Sequence, residues 1–331
     1  MTQAAAPVVP VPVTVLTGFL GAGKTTLLSA LVRRPELART AVLINEVGAI
    51  AIDHHLVRDV RGDAVVLGSG CVCCTIAGDL VRALLELAAQ VMRGELPPFE
   101  RALIETSGMA DPTGVVATLV QHPLVARHYR AGAVVTAVDG QLGLETLRRQ
   151  PEALAQVALA DRLVITKTDL AEVAAVDQLE AALREKNPGA AVVRTAGGDV
   201  APDVLLAPAP DADWVEAATR RPVAHGFLAT FTICFEQPVR MGPLGLWLTL
   251  ITQMHAGAIL RVKGLVSVEG EDAPVVIDCV QHVIHPARRL PAWPDADRRT
   301  RLVFIARGLA AGTIASIRRS LADSLGQPLA G

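Results

Sequence analysis

The first residues with the types and spacing for chemistry form a glycine-rich run, Gly18-Phe-Leu-Gly-Ala-Gly-Lys-Thr-Thr26, near the start of the chain. A stretch typical of a strand precedes this run, and a stretch typical of a helix follows it. Glycines let successive backbone N–H groups turn towards phosphate oxygens, and the start of a helix adds a favourable potential for an anion. The run therefore predicts a phosphate-binding loop of the P-loop type. We expect the nucleotide to contact Gly18, Gly21, Ala22, Gly23, Lys24, Thr25 and Thr26.

Two side chains of this loop have chemistry of their own. Lys24 can place its ammonium between the β- and γ-phosphates, where negative charge develops when the bond between them breaks. The Thr25 hydroxyl is suited to bind Mg²⁺. A glycine-rich turn without a ligand is the alternative, but the full spacing between a strand and a helix favours the phosphate site.

A second polar group, Glu105-Thr-Ser-Gly108, ends the apolar stretch that begins at Arg101. In P-loop proteins an acidic residue at the end of a neighbouring strand helps to hold Mg²⁺. We therefore expect Glu105 to hold Mg²⁺ through water and the Gly108 backbone N–H to read the γ-phosphate. A strand that ends in an ordinary polar turn is the alternative, and it is the weaker interpretation beside a P-loop.

The tetrapeptide Thr166-Lys-Thr-Asp169 follows another apolar stretch and favours guanine as the base. The Asp169 carboxylate can accept hydrogen bonds from N1–H and N2–H of guanine, whereas adenine offers no such pair of donors. Lys167 can lie along the base. GTPases usually have asparagine where this chain has Thr166. Because threonine lacks the amide that would brace the P-loop and the base, we expect weaker guanine binding.

Three thiols, those of Cys71, Cys73 and Cys74, lie within four residues, just ahead of a predicted helix at Ile76–Arg93. The helix N-terminus should lower the pKa of these thiols and favour the thiolate, which is the form that binds metal. Thiolates suit Zn²⁺, Cu(I) and other late first-row ions, and three of them leave one tetrahedral position for another ligand. Candidates for that ligand are Asp53, His54 and His55.

The same cysteines have two other interpretations. Cys73 and Cys74 can form a redox-active vicinal pair, and single cysteines are common in protein cores. Three thiols in four positions make the core interpretation weak. A metal site is therefore the main prediction, and the redox pair is its alternative.

The elements that must position these groups alternate between residues 13 and 195. Continuous runs of Val, Ile and Leu predict strands that are covered on both faces, and the stretches between them are typical of helices. Their order predicts an α/β domain with a mostly parallel sheet. The predicted strands are Val13–Thr17, Ala41–Asn45, Ala64–Leu67, Ala102–Glu105, Ala133–Asp139, Leu163–Thr166 and Ala191–Arg194, and the predicted helices include Thr25–Arg33, Ile76–Arg93 and Ala171–Lys186.

The chain changes character after residue 204. The composition of 205–224, rich in Ala, Pro and Asp, predicts an exposed linker. We predict an N-terminal tail at 1–12, the P-loop domain at 13–204 and a smaller α+β domain at 225–331. The strands and helices predicted for this second domain are Phe227–Phe235, Leu244–Met254, Ile259–Val268, Val275–Val280, Leu302–Ala306 and Ile314–Ser320.

Bulk properties limit the classes of function. The 331 residues are enough for two domains, and 51% hydrophobic with 19% charged residues is typical of a globular chain. A net charge of −2 without a basic block gives no indication of nucleic acid or of an anionic membrane as a partner. The start lacks the positively charged region of a secretory signal, and the apolar run at 243–250 is short for a membrane span. With its clustered thiols, we expect the chain to be cytoplasmic.

Taken together, these motifs resemble the CobW family of GTPases, the metal-trafficking branch beside the urease and hydrogenase accessory GTPases. The combination of a P-loop with Cys-x-Cys-Cys is the specific part of the resemblance. It covers nearly the whole chain apart from the first dozen residues and the linker. The residues that carry it are Gly18–Thr26, Asn45–Gly48, Gly70–Cys74, Glu105–Gly108, Leu260–Gly264, Trp293–Pro294 and Arg301–Ile305.

The resemblance implies a switch segment at Asn45–Asp53 that touches the γ-phosphate and Mg²⁺. It places Glu46 near the nucleotide and implies a catalytic role for Glu46 with Lys24 and Glu105. It also implies that the three clustered cysteines bind the cargo metal. The histidine-rich stretch of many members is missing, and the eight histidines are scattered, which argues against metal storage.

The resulting prediction is a GTP-hydrolysing metallochaperone or metal insertase that uses GTP, Mg²⁺ and a transition metal, Zn²⁺ or Co²⁺. Its partner is expected to be a metal-dependent client protein, and a homodimer is left open. One alternative is a redox-sensing regulatory GTPase without metal transfer. A nucleotide kinase is disfavoured because the chain has no lid of clustered arginines and because Asp169 indicates guanine recognition.

Overall fold

The structure is a computed structural model that describes residues 9–44, 66–68, 76–207, 211–220 and 228–330. The chain divides into two compact units. The first contains Met1–Glu180 and Val192–Ala209, and the second contains Ala181–Ala191 and Pro210–Gly331.

The first unit alternates strands and helices, as the apolar runs predict. Its strands are β1 (Val11–Thr17), β2 (Thr40–Ile44), β3 (Val66–Gly68), β4 (Arg101–Glu105), β5 (Tyr129–Asp139), β6 (Arg162–Thr166) and β7 (Ala191–Arg194). Its helices are α1 (Lys24–Val32), α2 (Ile76–Met92), α3 (Thr113–Gln121), α4 (Gly143–Arg149), α5 (Pro151–Leu159), α6 (Val173–Lys186) and α7 (Pro202–Leu206). The part of α6 from Ala181 onwards and the first residue of β7, Ala191, belong to the second unit. Each of the seven predicted strands has a counterpart among the described residues, and α3, α4, α5 and α7 are additional to the predicted helices named above.

The strands form one sheet in the order β3-β2-β4-β1-β5-β6-β7, and each neighbouring pair from β3 to β6 is parallel. Strand β1 is central, so the loop that follows it lies between the ends of β4 and β5. Leu16 pairs with Glu105, and Asp139 pairs with Thr166. Because the carboxyl ends of parallel strands meet at one edge of a sheet, the predicted phosphate and base residues come together there.

Apolar side chains of the sheet and of α1 hold this edge in place. Leu16, Leu103 and Val135 of the strands share a buried cluster with Leu27 and Leu31 of the helix. The helix that begins at the P-loop lysine is thus anchored to the strands on either side of the loop.

The second unit is built on an antiparallel sheet. Its elements are α8 (Asp211–Arg220), β8 (Leu228–Phe235), α9 (Met241–Met254), β9 (Ile259–Val266), β10 (Val275–Val280), β11 (Val283–Ile284), β12 (Arg288–Arg289), β13 (Thr300–Arg307) and α10 (Ala311–Leu325). The strand order is β11-β10-β9-β13-β8, with β12 paired to β10. Helices α9 and α10 pack on one face through Trp247, Leu248, Ile317 and Leu321. The predicted α+β class of this region is confirmed.

The segment 205–224, predicted to be an exposed linker, differs from that prediction in its described part. Helix α8 occupies 211–220 and contacts β8, β9 and β13. Trp214 and Val215 are buried, and the Lys263 ammonium lies 5.4 Å from the Trp214 ring centre. Lys263 alternates along β9 with Val262, which faces α9 and α10, so α8 covers the opposite face of the sheet. The segment is therefore structural, because its aromatic and apolar side chains cover that face.

Within the ranges given above, no helix is long and apolar enough to cross a membrane.

Candidate active site

The P-loop begins where β1 ends and closes at the first residue of α1. Gly18 has a φ of 142°, and a Cβ added there would lie 2.3 Å from the Ala137 carbonyl oxygen. No other residue fits at this position without moving β5. The Ala22 N–H donates to the Phe19 carbonyl at 3.1 Å and closes the turn. The sequence Gly18–Thr26 thus folds into a tight loop between a strand and a helix.

The Lys24 side chain lies across this loop. It is buried, and its Nζ donates to the Gly18 carbonyl at 2.8 Å and to the Phe19 carbonyl at 3.3 Å. The loop's own carbonyl oxygens therefore hold a positive charge at the position predicted for the phosphates. An ammonium held in place before the reaction stabilises developing negative charge without reorganisation of its surroundings.

Thr25 and Glu105 meet at the start of α1. The Thr25 hydroxyl donates to Glu105 Oε1 at 3.1 Å, and Glu105 is only 3% exposed. A second hydroxyl pair, Thr106 to Thr17 at 2.8 Å, joins the ends of β4 and β1 beside them. A hydroxyl and a carboxylate side by side are the oxygen ligands that Mg²⁺ prefers, so these residues fit the predicted ion.

The loop that follows Glu105 packs directly on the P-loop. A Cβ added to Gly108 would lie 2.7 Å from the Leu20 backbone nitrogen, so the two backbones are in contact at a position where only glycine fits. From the other side, Gln156 Nε2 donates to the carbonyls of Gly108 and Ala110 at 3.2 and 3.0 Å. The predicted γ-phosphate residue therefore lies between the P-loop and a buried amide of α5.

Thr166 does brace the P-loop, although the sequence predicts that it cannot. Its hydroxyl donates to the Ala22 carbonyl of the P-loop at 2.8 Å and lies 3.2 Å from the Val138 carbonyl. The expectation was wrong for the P-loop, because a hydroxyl this close to the loop reaches its carbonyl without an amide. The end of β6 and the P-loop are thereby joined, even though 144 residues separate the two partners.

Lys167 is held by a carboxylate at the end of the neighbouring strand. Its Nζ lies 2.6 Å from Asp139 Oδ2, and its φ of 53° places the backbone in the left-handed region. Burial alone would raise the pKa of Asp139, but the Lys167 ammonium and the N–H groups of Leu142 and Gln141 hold it below its usual range. Asp139 is therefore an anion that fixes the lysine predicted to lie along the base.

The predicted base-reading residue, Asp169, is exposed to solvent. The loop after β7 supports its neighbours, since the Thr195 N–H donates to the Ile165 carbonyl at 2.8 Å and the Thr168 N–H donates to the Thr195 carbonyl at 3.3 Å. Neither Asp139 nor this loop is among the residues predicted from the sequence. Their positions in the sequence could have indicated them, because Asp139 ends one predicted strand and this loop follows another. Ligand-binding residues of parallel sheets lie at such strand ends.

Replacement of Asp169 by asparagine tests the base assignment. We expect Asp169→Asn to weaken GTP binding about tenfold and to relax discrimination towards xanthosine triphosphate, because guanine then loses the acceptor for its two N–H groups. Competition binding with GTP, xanthosine triphosphate and ATP measures this. Asp203→Asn, a change at an exposed carboxylate of α7, is the control and should leave all three affinities unchanged. Equal affinity of the unmodified protein for ATP and GTP would contradict the assignment.

Several predicted site residues lie outside the described residues. They include Glu46 and the rest of the predicted switch segment, the three clustered cysteines, and Asp53, His54 and His55. Among the residues that the structure does describe, no group of three or more His, Cys, Asp or Glu side chains is placed to hold a metal ion. Cys234 and Cys279 are free thiols whose pKa values are raised, chiefly by burial, so neither is prone to form a thiolate.

Comparison with known proteins adds two family matches. Residues 12–194 match the CobW/HypB/UreG nucleotide-binding domain, and residues 228–325 match the cobalamin synthesis protein CobW C-terminal domain. The chain is 30% identical over 302 residues to the zinc chaperone YjiA of Escherichia coli, covering 89% of this chain and 94% of YjiA. It is 29% identical to the zinc chaperone CobW of Pseudomonas aeruginosa, covering 94% of this chain and 92% of that protein.

A solved structure agrees with both domains. The crystal structure of zinc-bound YjiA GTPase from E. coli covers 95% of this chain and 99% of that chain, with 28% identity and a TM-score of 0.71. The two family matches cover most of the chain, and their boundaries enclose the P-loop, the Glu105 strand and the antiparallel sheet. The chain therefore belongs to the CobW/HypB/UreG family and consists of its nucleotide-binding domain followed by a CobW C-terminal domain.

Proposed function

We propose that this chain is a zinc metallochaperone that hydrolyses GTP and delivers zinc from Cys71, Cys73 and Cys74 to a metal-dependent client protein. One observation carries the proposal. Ile44, the last residue of β2, pairs with Gly68 of β3 on one side and with Glu105 of β4 on the other. The cysteine segment begins directly after β3, at the sheet edge where the Mg²⁺ residues lie.

The spacing of parallel strands gives this observation its weight. Neighbouring strands lie about 4.8 Å apart, so β3 ends roughly 10 Å from β4. The predicted switch segment begins after β2, between the two. Glu105 is the last residue of β4, and β2 and β3, which precede the predicted switch and thiol segments in the sequence, end at the same edge of the sheet. We therefore expect nucleotide binding at this edge to change the geometry of the three thiolates.

Zinc is the cargo that the chemistry and the relatives favour. Three thiolates suit zinc and leave one of four tetrahedral positions for a further ligand or for the client. Cobalt tolerates the same ligands, but sites of this kind bind zinc more tightly than cobalt. The relatives YjiA and CobW are described as zinc chaperones. Zinc was also bound by a YjiA variant with one glutamate and two cysteines replaced by alanine, so zinc sites outside the cysteine cluster are expected here too.

The residues of the nucleotide site have separate roles in the proposed reaction. Lys24 holds the β- and γ-phosphates and stabilises the charge that develops between them. Thr25 and Glu105 would hold Mg²⁺, which would neutralise phosphate charge. Gly108 reads the γ-phosphate through its N–H, and Asp169 reads guanine while Lys167 lies along it. Glu46 acts near the γ-phosphate from the switch segment.

Intrinsic GTP hydrolysis is expected to be slow. The predicted motifs contain no arginine that reaches the γ-phosphate, and an arginine supplied by a partner commonly accelerates this reaction by large factors. A client that completes the site would therefore couple hydrolysis to delivery. GTP would order the segments at the sheet edge and assemble the thiolate site, and hydrolysis would loosen it.

The proposal includes a cytoplasmic location, where reducing conditions keep the thiols able to bind metal. Docking of the client is assigned to the C-terminal domain.

A redox-sensing GTPase, with Cys73 and Cys74 as a reversible disulfide pair, is the second candidate because the two thiols are adjacent. The two differ in zinc binding. A zinc competition titration in two nucleotide states tests the proposal, and we expect tighter binding with a GTP analogue than with GDP.

A further inference from the structure

Gln156 is the one polar residue among the buried residues of α5. It lies in α5 among alanine, valine and leucine residues and is only 1% exposed. Its Nε2 donates to the Gly108 carbonyl at 3.2 Å and to the Ala110 carbonyl at 3.0 Å. Its own backbone carbonyl accepts the Thr136 hydroxyl of β5 at 2.9 Å. The side chain therefore ties a loop that follows β4 to a helix anchored on β5.

Both hydrogens of this amide have a partner in the loop. Burial of an amide is unfavourable unless it is hydrogen-bonded, and leucine would fill a similar volume in an apolar helix without that requirement. The Gln156 Oε1 is buried without a hydrogen-bond partner among the described residues, so the two carbonyls that Nε2 contacts explain the polarity of this residue.

The opposite side of the same loop touches the P-loop. The Gly108 backbone is in contact with Leu20, as the space for an added Cβ shows. The loop is therefore enclosed between the phosphate-binding loop and the Gln156 amide. Moving Gly108 away from the P-loop requires that both hydrogen bonds to Gln156 break or that α5 follows.

We propose that Gln156 is a positioning residue that holds the loop at 106–110 against the P-loop, in the arrangement that accepts the third phosphate. It thereby sets the preference of the protein for GTP over GDP. The inference rests on the proposed role of Gly108 as the reader of the γ-phosphate. GDP lacks the phosphate that Gly108 would contact, so its affinity does not depend on where the loop lies.

Replacement of Gln156 by leucine in the full-length protein tests this inference. We expect Gln156→Leu to weaken a non-hydrolysable GTP analogue about tenfold, the size of the net contribution of one intramolecular hydrogen bond. GDP affinity should change less than about twofold. Competition binding in the presence of Mg²⁺ gives both affinities and therefore their ratio, a quantity that a general loss of stability does not change.

Two further variants separate the explanations. Leu154→Ala removes a buried side chain from the same helix without removing a hydrogen bond, and it should lower the melting temperature while leaving the ratio unchanged. Gly108→Ala places a Cβ against Leu20, which moves the N–H of residue 108 away from the P-loop, and it should lower the ratio strongly. If Gln156→Leu does not fold, Gln156→Glu keeps the size of the side chain and presents a carboxylate to the two carbonyls, so the same loss is expected.

Each outcome decides a specific point. A folded Gln156→Leu or Gln156→Glu variant with the unmodified ratio overturns the positioning role, as does an equal drop in Leu154→Ala. An unchanged ratio in Gly108→Ala overturns the proposed γ-phosphate contact on which the inference rests. A lower ratio in both the Gly108 and Gln156 variants, with Leu154→Ala unaffected, supports it.

Discussion

Replacing Lys24 with alanine is expected to reduce the rate of GTP hydrolysis at saturating GTP by about 100-fold or more. The ammonium is buried and is held by the carbonyls of Gly18 and Phe19, so its charge is in place before the phosphates arrive. Alanine removes that charge where the bridge between the β- and γ-phosphates becomes negative. Phosphate release measured over time, with excess GTP and Mg²⁺, gives the rate.

Two control variants make this result specific. Lys24→Arg keeps the charge but has a longer planar head that does not fit among the same carbonyls, so we expect little recovery of activity. Lys186→Ala removes a lysine from the end of α6, where it pairs with Glu185, and should leave the rate unchanged. Hydrolysis by Lys24→Ala within a few-fold of the unmodified protein would contradict the phosphate-loop assignment.

The double replacement of Cys73 and Cys74 by serine is expected to weaken zinc binding on the order of 1,000-fold, because two of the three thiolate ligands are lost. GTP binding should change little, since the P-loop, Thr25 and Glu105 remain intact. Zinc titration against a competing chelator measures the affinity of the tight site and excludes weaker ones. Cys234→Ser, at a thiol whose pKa is raised by burial, is the matched control and should bind zinc normally.

The same preparations decide between zinc delivery and redox sensing. Protein purified without chelator should carry about one zinc per chain with all thiols reduced, and the double variant should carry none at the tight site. A zinc-free protein whose Cys73 and Cys74 form a disulfide reversibly would contradict the zinc site and favour the redox-sensing GTPase.

Much of the sheet could be predicted because its information is local. Buried parallel strands appear as continuous apolar runs, and the P-loop spacing places a strand before it and a helix after it. Glu105 follows from the same logic, since it ends a run of this kind. The register of β1 with β4 then brings it to Thr25 without further assumptions.

The residues that the sequence did not predict act through distant partners. Gln156 contacts Gly108 across 48 residues, and Thr166 contacts Ala22 across 144. A single glutamine forms no spaced motif, so the sequence does not mark it as a functional residue. Its position among the apolar residues of α5 was the only indication that it has a specific partner. Thr166 lacks the amide of the usual asparagine, but its hydroxyl lies close enough to the P-loop to donate to the Ala22 carbonyl. Both contacts depend on the order of the strands, which no local pattern specifies.

The prediction of a linker at 205–224 was wrong for helix α8, because it relied on amino-acid composition and not on the spacing of apolar residues. Alanine, proline and aspartate between 205 and 224 indicated a linker. Trp214, Val215 and Ala218 nevertheless recur at the spacing of one helical face, and all three are buried. An aromatic residue followed by small apolar residues at this spacing was the signal that the segment covers a sheet.

Control of zinc affinity by the nucleotide state can be measured in a single competition titration. Zinc is titrated against a competing chelator with the full-length protein bound first to a non-hydrolysable GTP analogue with Mg²⁺ and then to GDP. We expect zinc to bind about 5- to 150-fold more tightly in the GTP state, the usual range of coupling between two sites. Linkage requires zinc to tighten the GTP analogue by the same factor, and the double serine variant should lose both effects. Equal zinc affinity in the two nucleotide states would contradict a GTP-controlled zinc chaperone.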